Sequence, residues 1–246
     1  MITPHAAVQA VRPDAGLADR FAAAGLDWIV PAWPAPASVH AFVTTRNGTS
    51  RPGEFLPSPP RWLEQVHGAR VVTAAAILDD VGIAPCADAA VTRDANVVLA
   101  VRVADCLPVL FSTQDGNAIG IAHAGWRGLA AGVLENTVAA MACAPSTILA
   151  WFGPAIGGAA FEVGADVRDA FVTADAGAAS AFTAGRPDKW FADLEQLARR
   201  RLANAGVPHV AGGGLCTVSD PARFFSFRRD RSRGRMGAFL WRTDPQ

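Results

Sequence analysis

The pattern of apolar and polar residues changes repeatedly between strand-like and helix-like segments. Residues 39–45 alternate apolar and polar side chains, and this period of two predicts a β-strand. Apolar runs predict further strands at 70–75, 97–103, 108–112, 118–122, 148–152 and 236–242. Helical spacing predicts helices at 16–25, 129–141, 164–173 and 189–205, whereas the proline-rich segment 46–60 is predicted to be a loop. This mixture, without an internal repeat, predicts a single α/β domain with mixed β-sheet flanked by helices.

Composition and charge narrow the class of protein. Hydrophobic residues make up 51% and charged residues 18% of the 246 residues, which excludes disorder over most of the chain. The 22 basic and 22 acidic residues cancel, so no overall field favours nucleic acid or an anionic membrane as a partner. No apolar run reaches the roughly 18 residues of a membrane-spanning helix, and residues 1–16 lack a signal-peptide pattern. We expect a cytoplasmic protein whose four cysteines are free thiols or metal ligands.

Three short segments each place a possible metal ligand beside the end of a predicted strand. They contain His67 in QVHG, Cys106 in ADCLP and His123 in AHAGW. Their separations are too long for a zinc-finger knuckle, so the ligands would have to converge from different strands. Two imidazoles and one thiolate suit zinc and leave the fourth tetrahedral position open, as in catalytic sites. The same residues are also compatible with histidines satisfied in the core and an inert buried thiol.

Six segments in this order resemble the YfiH family, also called the laccase-domain, polyphenol-oxidase-like or peptidoglycan editing factor family. They are WLEQVHGARVV (62–72), ADAAVT (87–92), ADCLPVLF (104–111), IGIAHAGWRG (119–128), GPAIGGAAFEVG (153–164) and CTVSDPARFFSFRRDRSRGRMGAF (216–239). The resemblance implies a layered α/β/β/α catalytic domain at 28–246, preceded by a lead-in at 1–27. It also implies that His67, Cys106 and His123 are catalytic residues and the ligands of one zinc ion.

The resemblance further implies a zinc-dependent purine nucleoside phosphorylase. Such an enzyme converts adenosine, inosine, guanosine or methylthioadenosine, together with phosphate, into the purine base and ribose 1-phosphate, and it also deaminates adenosine. The expected partners are therefore small purine nucleosides and phosphate.

Two features depart from the family pattern. The segment after Thr44, Thr45 and Arg46 is short, which leaves a wall of the substrate pocket missing or rebuilt, and Ala159 and Ala160 stand where the family often has cysteine.

Four arginines are candidates for binding phosphate or a ribose hydroxyl. Arg46 follows a strand-like run, and its planar guanidinium matches the geometry of phosphate, although a loop salt bridge is the alternative. Arg127 begins a predicted helix, where free N–H groups favour anions, or else caps a strand. Arg228 and Arg229 follow an aromatic run and either bind phosphate or form a solvated basic turn. Arg46 is the favoured phosphate contact.

Other polar residues near these motifs have supporting roles. Asp105 precedes Cys106 and is expected to orient a ligand imidazole. Asp88 is expected to support a turn or to bond to a metal ligand. Trp126 either stacks on a base or packs at the start of a helix.

Three other functions are open at this point. A cysteine hydrolase or amidase in peptidoglycan quality control would use Cys106 as nucleophile and His67 or His123 as base. A His₂Cys site can also bind copper and support weak polyphenol oxidation. The chain has five histidines, and the three outside this site cannot form a multicopper cluster, which excludes a true laccase. The last alternative is a metal-stabilised protein without catalysis. The oligomeric state and the physiological substrate are left open by the sequence.

Overall fold

The computed structural model of the protein describes residues 13–77 and 84–244. The helices are α1 (Ala15–Ala23), α2 (Trp126–Ala130), α3 (Val133–Ala140), α4 (Ala165–Val172), α5 (Leu194–Asn204) and α6 (Phe227–Asp230). The strands are β1 (Val39–Val43), β2 (Val71–Thr73), β3 (Ala89–Thr92), β4 (Leu99–Val103), β5 (Leu107–Thr113), β6 (Ile119–Ala124), β7 (Ile148–Phe152), β8 (Glu162–Val163), β9 (Phe182–Ala184), β10 (Trp190–Ala192), β11 (His209–Gly212) and β12 (Met236–Arg242).

The central element is a six-stranded sheet in the order β11-β7-β5-β6-β3-β2. The pairs β11–β7 and β2–β3 are parallel, and the other neighbours are antiparallel, so the predicted mixed sheet is confirmed. Side chains of β5 alternate between its two faces. Leu107, Val109 and Phe111 pack with α3 and α5, whereas Leu110 points to the opposite core.

A second, three-stranded sheet in the order β1-β12-β4 packs on that opposite face. Alternation along β12 explains how it lies between two cores. Ala238 and Leu240 belong to the core shared with the six-stranded sheet, whereas Phe239 and Trp241 face α1. The layers therefore follow the order α1, three-stranded sheet, six-stranded sheet, and α3 with α5. The α/β/β/α expectation is confirmed.

The helix α1 closes the outer face of the three-stranded sheet. The Asp14 side chain caps it by accepting a hydrogen bond from the backbone N–H of Leu17 at 3.1 Å. The Phe21 ring lies 5.0 Å from the Trp28 ring in an edge-to-face contact, and both side chains are buried. Part of the predicted lead-in at 1–27 is therefore a packed helix, and a domain boundary at residue 28 stays a prediction. Residues 1–12 lie outside the described part of the chain.

Two helix predictions are corrected by the structure. The segment 189–205 begins as the strand β10, and the helix starts only after Asp193, whose side chain accepts a hydrogen bond from the N–H of Gln196. The segment 129–141 starts earlier, at Trp126, and breaks at Gly132, whose φ of 92° is incompatible with a continuous right-handed helix. Within residues 13–77 and 84–244, no helix has the length and apolar character needed to cross a bilayer.

Candidate metal centre and substrate cavity

His67, Cys106 and His123 meet at one end of the six-stranded sheet. His67 lies in the loop before β2, Cys106 in the turn between β4 and β5, and His123 in β6. One ligand atom from each residue lies within 4.8 Å of those of the other two. The two imidazole rings are 4.9 Å apart and nearly perpendicular. Residues that are distant in sequence thus form one compact donor set.

Asp88 holds this donor set in place. Its Oδ1 atom lies 2.8 Å from Nδ1 of His123 and accepts a hydrogen bond from the backbone N–H of His67 at 2.9 Å. Its Oδ2 atom accepts from the N–H of Gly68 at 2.7 Å and of Val66 at 3.2 Å. These bonds support the positive φ of 60° at His67. Because a carboxylate only accepts, Nδ1 of His123 carries the proton, and its Nε2 is left for a metal.

Electrostatics at the centre favour a thiolate. Burial raises the pKa of the Cys106 thiol, but hydrogen bonds with His123 and His67 outweigh burial and lower that pKa to about 6. Burial lowers the pKa of His123, but its hydrogen bonds to Asp88 and Cys106 raise that pKa to about 9. Burial likewise opposes ionisation of Asp88, and the bonds from His123 and Gly68 outweigh it and lower the Asp88 pKa. The charged forms of the three side chains thus stabilise one another.

Glycine permits the close approach of the next loop to this centre. A Cβ atom added to Gly125 would lie 2.9 Å from Sγ of Cys106 and 3.0 Å from Cδ2 of His67. A Cβ atom added to Gly128 would lie 2.6 Å from the carbonyl oxygen of Gly68. The chain that leads from β6 into α2 therefore touches both the thiol and one imidazole.

The three ligand residues lie on the wall of a cavity of about 870 Å³. Apolar parts of the wall are supplied by Trp126, Ile156, Phe161, Leu194 and Phe227, among others. Five arginines also line it: Arg102, Arg127, Arg228, Arg231 and Arg235. A cavity of this size, with aromatic walls and grouped cations, suits an aromatic ligand together with an anion.

The sequence-predicted arginines separate into two groups. Arg127 and Arg228 line the cavity. Arg46 does not: its guanidinium lies 2.5 Å from Oδ2 of Asp230, donates to the carbonyl of Phe224 at 3.0 Å and stacks over Phe225. Arg46 therefore forms the salt bridge that was the alternative to phosphate binding. Its guanidinium is engaged by protein groups and does not line the cavity.

Arg229 is also held by protein groups. Its guanidinium donates to both Asp230 oxygens and to the carbonyl groups of Thr217, Val218 and Phe224. It is absent from the cavity lining. Hydrogen bonds from Arg229, together with the charge of Arg46, lower the pKa of Asp230 to about 2. Arg46, Arg229 and Asp230 thus form an ion-pair network that orders the C-terminal segment.

The expectation for Asp105 is wrong, whereas Asp88 bonds to a candidate ligand as expected. Asp105 does not contact a ligand imidazole; its side chain accepts from the Thr217 hydroxyl at 2.5 Å and from the backbone N–H of Arg228 at 2.6 Å. These bonds attach the Cys106 turn to the C-terminal segment. Asp88 is the carboxylate that orients His123. Trp126 lies on the cavity wall, beneath the Arg127 guanidinium at 4.5 Å.

Sequence reasoning missed several cavity residues. Arg102 lies within the predicted strand at 97–103, and Arg231 and Arg235 lie within the C-terminal motif at 216–239, so none of them stands out as a site residue. A charged residue between buried neighbours on β4 is a signal that could have identified Arg102. Phe161 and Phe227 gave no such signal, because aromatic residues next to motifs usually pack in the core.

The donor set fits a zinc ion. Two imidazoles and a thiolate would supply three of the four ligands of a tetrahedral zinc ion, and the hydrogen bond that His123 donates to Asp88 fixes one imidazole in a ligand-competent tautomer. Among residues 13–77 and 84–244, this is the one group of three or more His, Cys, Asp or Glu side chains arranged to hold a metal. The same donors can bind copper. The chemistry of the site therefore supports metal binding without fixing the metal.

Comparisons with known proteins agree with this geometry. Residues 41–243 match the family model described as multi-copper polyphenol oxidoreductase laccase. A Xylella fastidiosa protein (strain 9a5c) named purine nucleoside phosphorylase is 46% identical, over 87% of this chain and 96% of that protein. The Escherichia coli K12 protein named purine nucleoside phosphorylase YfiH is 45% identical, over 87% of this chain and 98% of that protein.

Solved structures have the same fold. The Neisseria meningitidis protein NMB0706 superposes with a TM-score of 0.83 at 42% identity, covering 88% of this chain and 99% of that one. YlmD from Geobacillus stearothermophilus gives a TM-score of 0.77 at 31% identity, covering 88% and 96% respectively.

Proposed function

This chain belongs to the laccase-like family that includes the YfiH proteins, and on that premise we propose that it is a zinc-dependent purine nucleoside phosphorylase. The observation that carries the proposal is the His67, Cys106 and His123 donor set on the wall of a cavity lined by aromatic side chains and arginines. The names of the similar Xylella fastidiosa and Escherichia coli proteins support the same activity.

In the proposed reaction, a phosphate oxygen forms a bond to C1′ of the ribose as the bond from C1′ to the purine breaks. The products are ribose 1-phosphate and the purine base, which takes up a proton. A bound zinc ion would supply a Lewis-acidic centre with one open position. Arg127 and Arg228 bind the phosphate, because their guanidinium groups line the cavity and neither pairs with a described carboxylate. Trp126 and Phe161 hold the purine between apolar faces.

Adenosine, inosine, guanosine and methylthioadenosine are the proposed substrates, and adenosine deamination is a second reaction of the same site. The test uses pure protein whose zinc content has been measured. We expect about one zinc per chain and release of hypoxanthine from inosine only when phosphate is present, with an equal amount of ribose 1-phosphate. No phosphate-dependent base release by zinc-loaded protein contradicts the phosphorylase, and no ammonia from adenosine contradicts the deaminase.

A cysteine hydrolase is the second candidate, favoured by the pairing of Cys106 with two imidazoles. It predicts rapid alkylation of Cys106 by iodoacetamide in protein as purified, because a catalytic thiolate is exposed to the reagent. A zinc-bound thiolate resists the reagent until a chelator removes the metal. Copper analysis of the same sample tests the polyphenol oxidase alternative, which needs copper and not zinc at these ligands.

A further inference from the structure

The cavity has more positive charge than one phosphate ion requires. Five arginines line it, whereas its acidic residues are Glu64, Asp105 and Glu162. Two of these carboxylates are already engaged: Glu162 pairs with Arg186, and Asp105 accepts bonds from Thr217 and from a backbone N–H. The chain as a whole has a net charge of zero, so the positive excess is local. A neutral nucleoside and one inorganic phosphate leave part of it unused.

Arg102 is the clearest unused cation. Its guanidinium stacks over the Trp62 ring at 3.9 Å and forms no ion pair with the described residues. Burial lowers its pKa, and the nearby charge of Glu64 only partly offsets that effect. Arg102 is nevertheless exposed and has no carboxylate partner among the described residues, so its guanidinium is available to an anionic ligand.

Arg231 and Arg235 line the same cavity as Arg102. In the β12–β4 pairing, Gly237 lies opposite Arg102, and Arg235 is two residues before Gly237. Arg235 immediately precedes β12, whose first pair joins Met236 to Val103, so its backbone lies next to the end of β4 that contains Arg102. Arg231 and Arg235 both approach the ring of Phe227, at 5.5 and 5.6 Å, and Phe227 is 46% exposed. Arg231 has no ion-pair partner within the described part of the chain.

These three arginines come from a different part of the fold than Arg127. Arg102 and Arg235 belong to the β4–β12 side of the cavity, whereas Arg127 follows β6 in the six-stranded sheet. The turn that contains Cys106 lies between β4 and β5, at most about 14 Å along the chain from Arg102. Arg127 is two residues from Gly125, which contacts the Cys106 thiol. The cavity thus has cations from the three-stranded sheet and from the segment that follows β6.

We propose that Arg102, Arg231 and Arg235 form a second anion site that binds the 5′-phosphate of a purine nucleoside 5′-monophosphate. The inference rests on the proposed function, in which Arg127 and Arg228 hold the attacking phosphate. A nucleotide is then accepted by the same cavity, in addition to the nucleosides of the proposed function. Its phosphorolysis breaks the bond from C1′ to the purine, forms one from C1′ to a phosphate oxygen, and yields the protonated base and ribose 1,5-bisphosphate.

The test measures binding separately from turnover. Its probes are a C-glycosidic inosine analogue and the 5′-monophosphate of that analogue, neither of which undergoes phosphorolysis because the base is joined through carbon. Calorimetric titrations of wild-type protein are made in saturating inorganic phosphate, so that the co-substrate site is filled. We expect the monophosphate to bind roughly 10- to 100-fold more tightly than the unphosphorylated analogue, as charge-assisted contacts to a phosphate allow.

Arg102→Gln and Arg231→Gln should each reduce that preference about tenfold. Arg233→Gln is the matched control, because it removes the same charge from the segment that contains Arg231 but lies outside the cavity lining. Equal binding of the two analogues by wild-type protein overturns the proposal. An equal loss of preference in Arg233→Gln also overturns it, because only the overall charge would then matter.

Kinetics separate this inference from the proposed function. Phosphate-dependent cleavage of inosine without tighter binding of the monophosphate leaves the phosphorylase standing and removes the second anion site. Tighter binding of the monophosphate without any cleavage of inosine supports the second anion site and contradicts the phosphorylase.

Discussion

Nδ1 of His123 lies 2.8 Å from the carboxylate of Asp88, and both side chains are buried. The same carboxylate accepts a hydrogen bond from the backbone N–H of His67, so one residue orients two of the three candidate metal ligands. The Asp88 side chain thereby connects β3 to the loop before β2 and to β6. Asp88 therefore both positions the candidate metal ligands and stabilises the local fold.

Replacement of this carboxylate should weaken metal binding. We expect Asp88→Asn to reduce zinc affinity roughly 10- to 100-fold, because the amide can present its N–H to Nδ1 of His123 and favour the wrong tautomer. Competition with a fluorescent zinc chelator measures the change. Asp115→Asn is the control, since Asp115 also bonds to local backbone and side-chain groups but lies in the turn between β5 and β6. Unchanged zinc affinity in Asp88→Asn contradicts this role.

Loss of the thiolate should release the metal without unfolding the chain. We expect Cys106→Ala to contain less than about one tenth of the wild-type zinc, because two imidazoles alone leave the site incomplete. The far-UV circular dichroism spectrum should stay the same, since the cores on both faces of the six-stranded sheet are formed by other residues. Elemental analysis and circular dichroism on one sample check both statements. Full zinc content in this variant would remove Cys106 from the ligand set.

A single methyl group on the loop after β6 should disturb the metal centre. The Cβ atom of Gly125→Ala would lie too close to Cys106 and His67 for an unstrained fit. We expect at least a tenfold loss of zinc affinity, with secondary structure preserved. Gly53→Ala is the matched control, because a Cβ atom there meets no atom within 4 Å. Equal zinc affinity in the two variants would show that the loop has room to move.

The sequence predicted the large elements well because their patterns are regular. The limits of β7 and β12 match the predicted 148–152 and 236–242. The β8-β10-β9 sheet was missed because its strands are two or three residues long and only partly buried. A strand so short has too few positions to display a period.

Site predictions from sequence depended on which contacts are local. Motifs placed His67, Cys106 and His123 beside strand ends, and the topology then brought them together. The partners of Arg46 could not be predicted, since Phe224 and Asp230 are 178 and 184 residues further along the chain. A long-range ion pair leaves no local signature, and an arginine after a strand looks the same whether or not its guanidinium is engaged.

Arg127 should matter for phosphate and not for folding. We expect Arg127→Gln to raise the KM for phosphate about tenfold or more, because a neutral amide cannot make the charge-assisted contact. The unfolding temperature should stay close to that of the wild type, since the guanidinium has only the stacking contact with Trp126 among the described residues. Initial rates over a phosphate titration at saturating inosine measure the first quantity. An unchanged KM for phosphate would exclude Arg127 from the phosphate site.

Arg46 should matter for the stability of the fold and not for phosphate binding. Its guanidinium bonds to Asp230 and to the carbonyl of Phe224 and stacks on Phe225, so it joins the segment after β1 to the C-terminal segment. We expect Arg46→Ala to lower the unfolding temperature by roughly 2–4 °C and to leave the KM for phosphate within about twofold of wild type. Arg46→Lys should recover part of the stability, because lysine keeps the charge but cannot bond to both groups in the same forked geometry. A strong rise in the KM for phosphate at an unchanged unfolding temperature would instead place Arg46 at the phosphate, and would require the Asp230 pair to open when substrate binds.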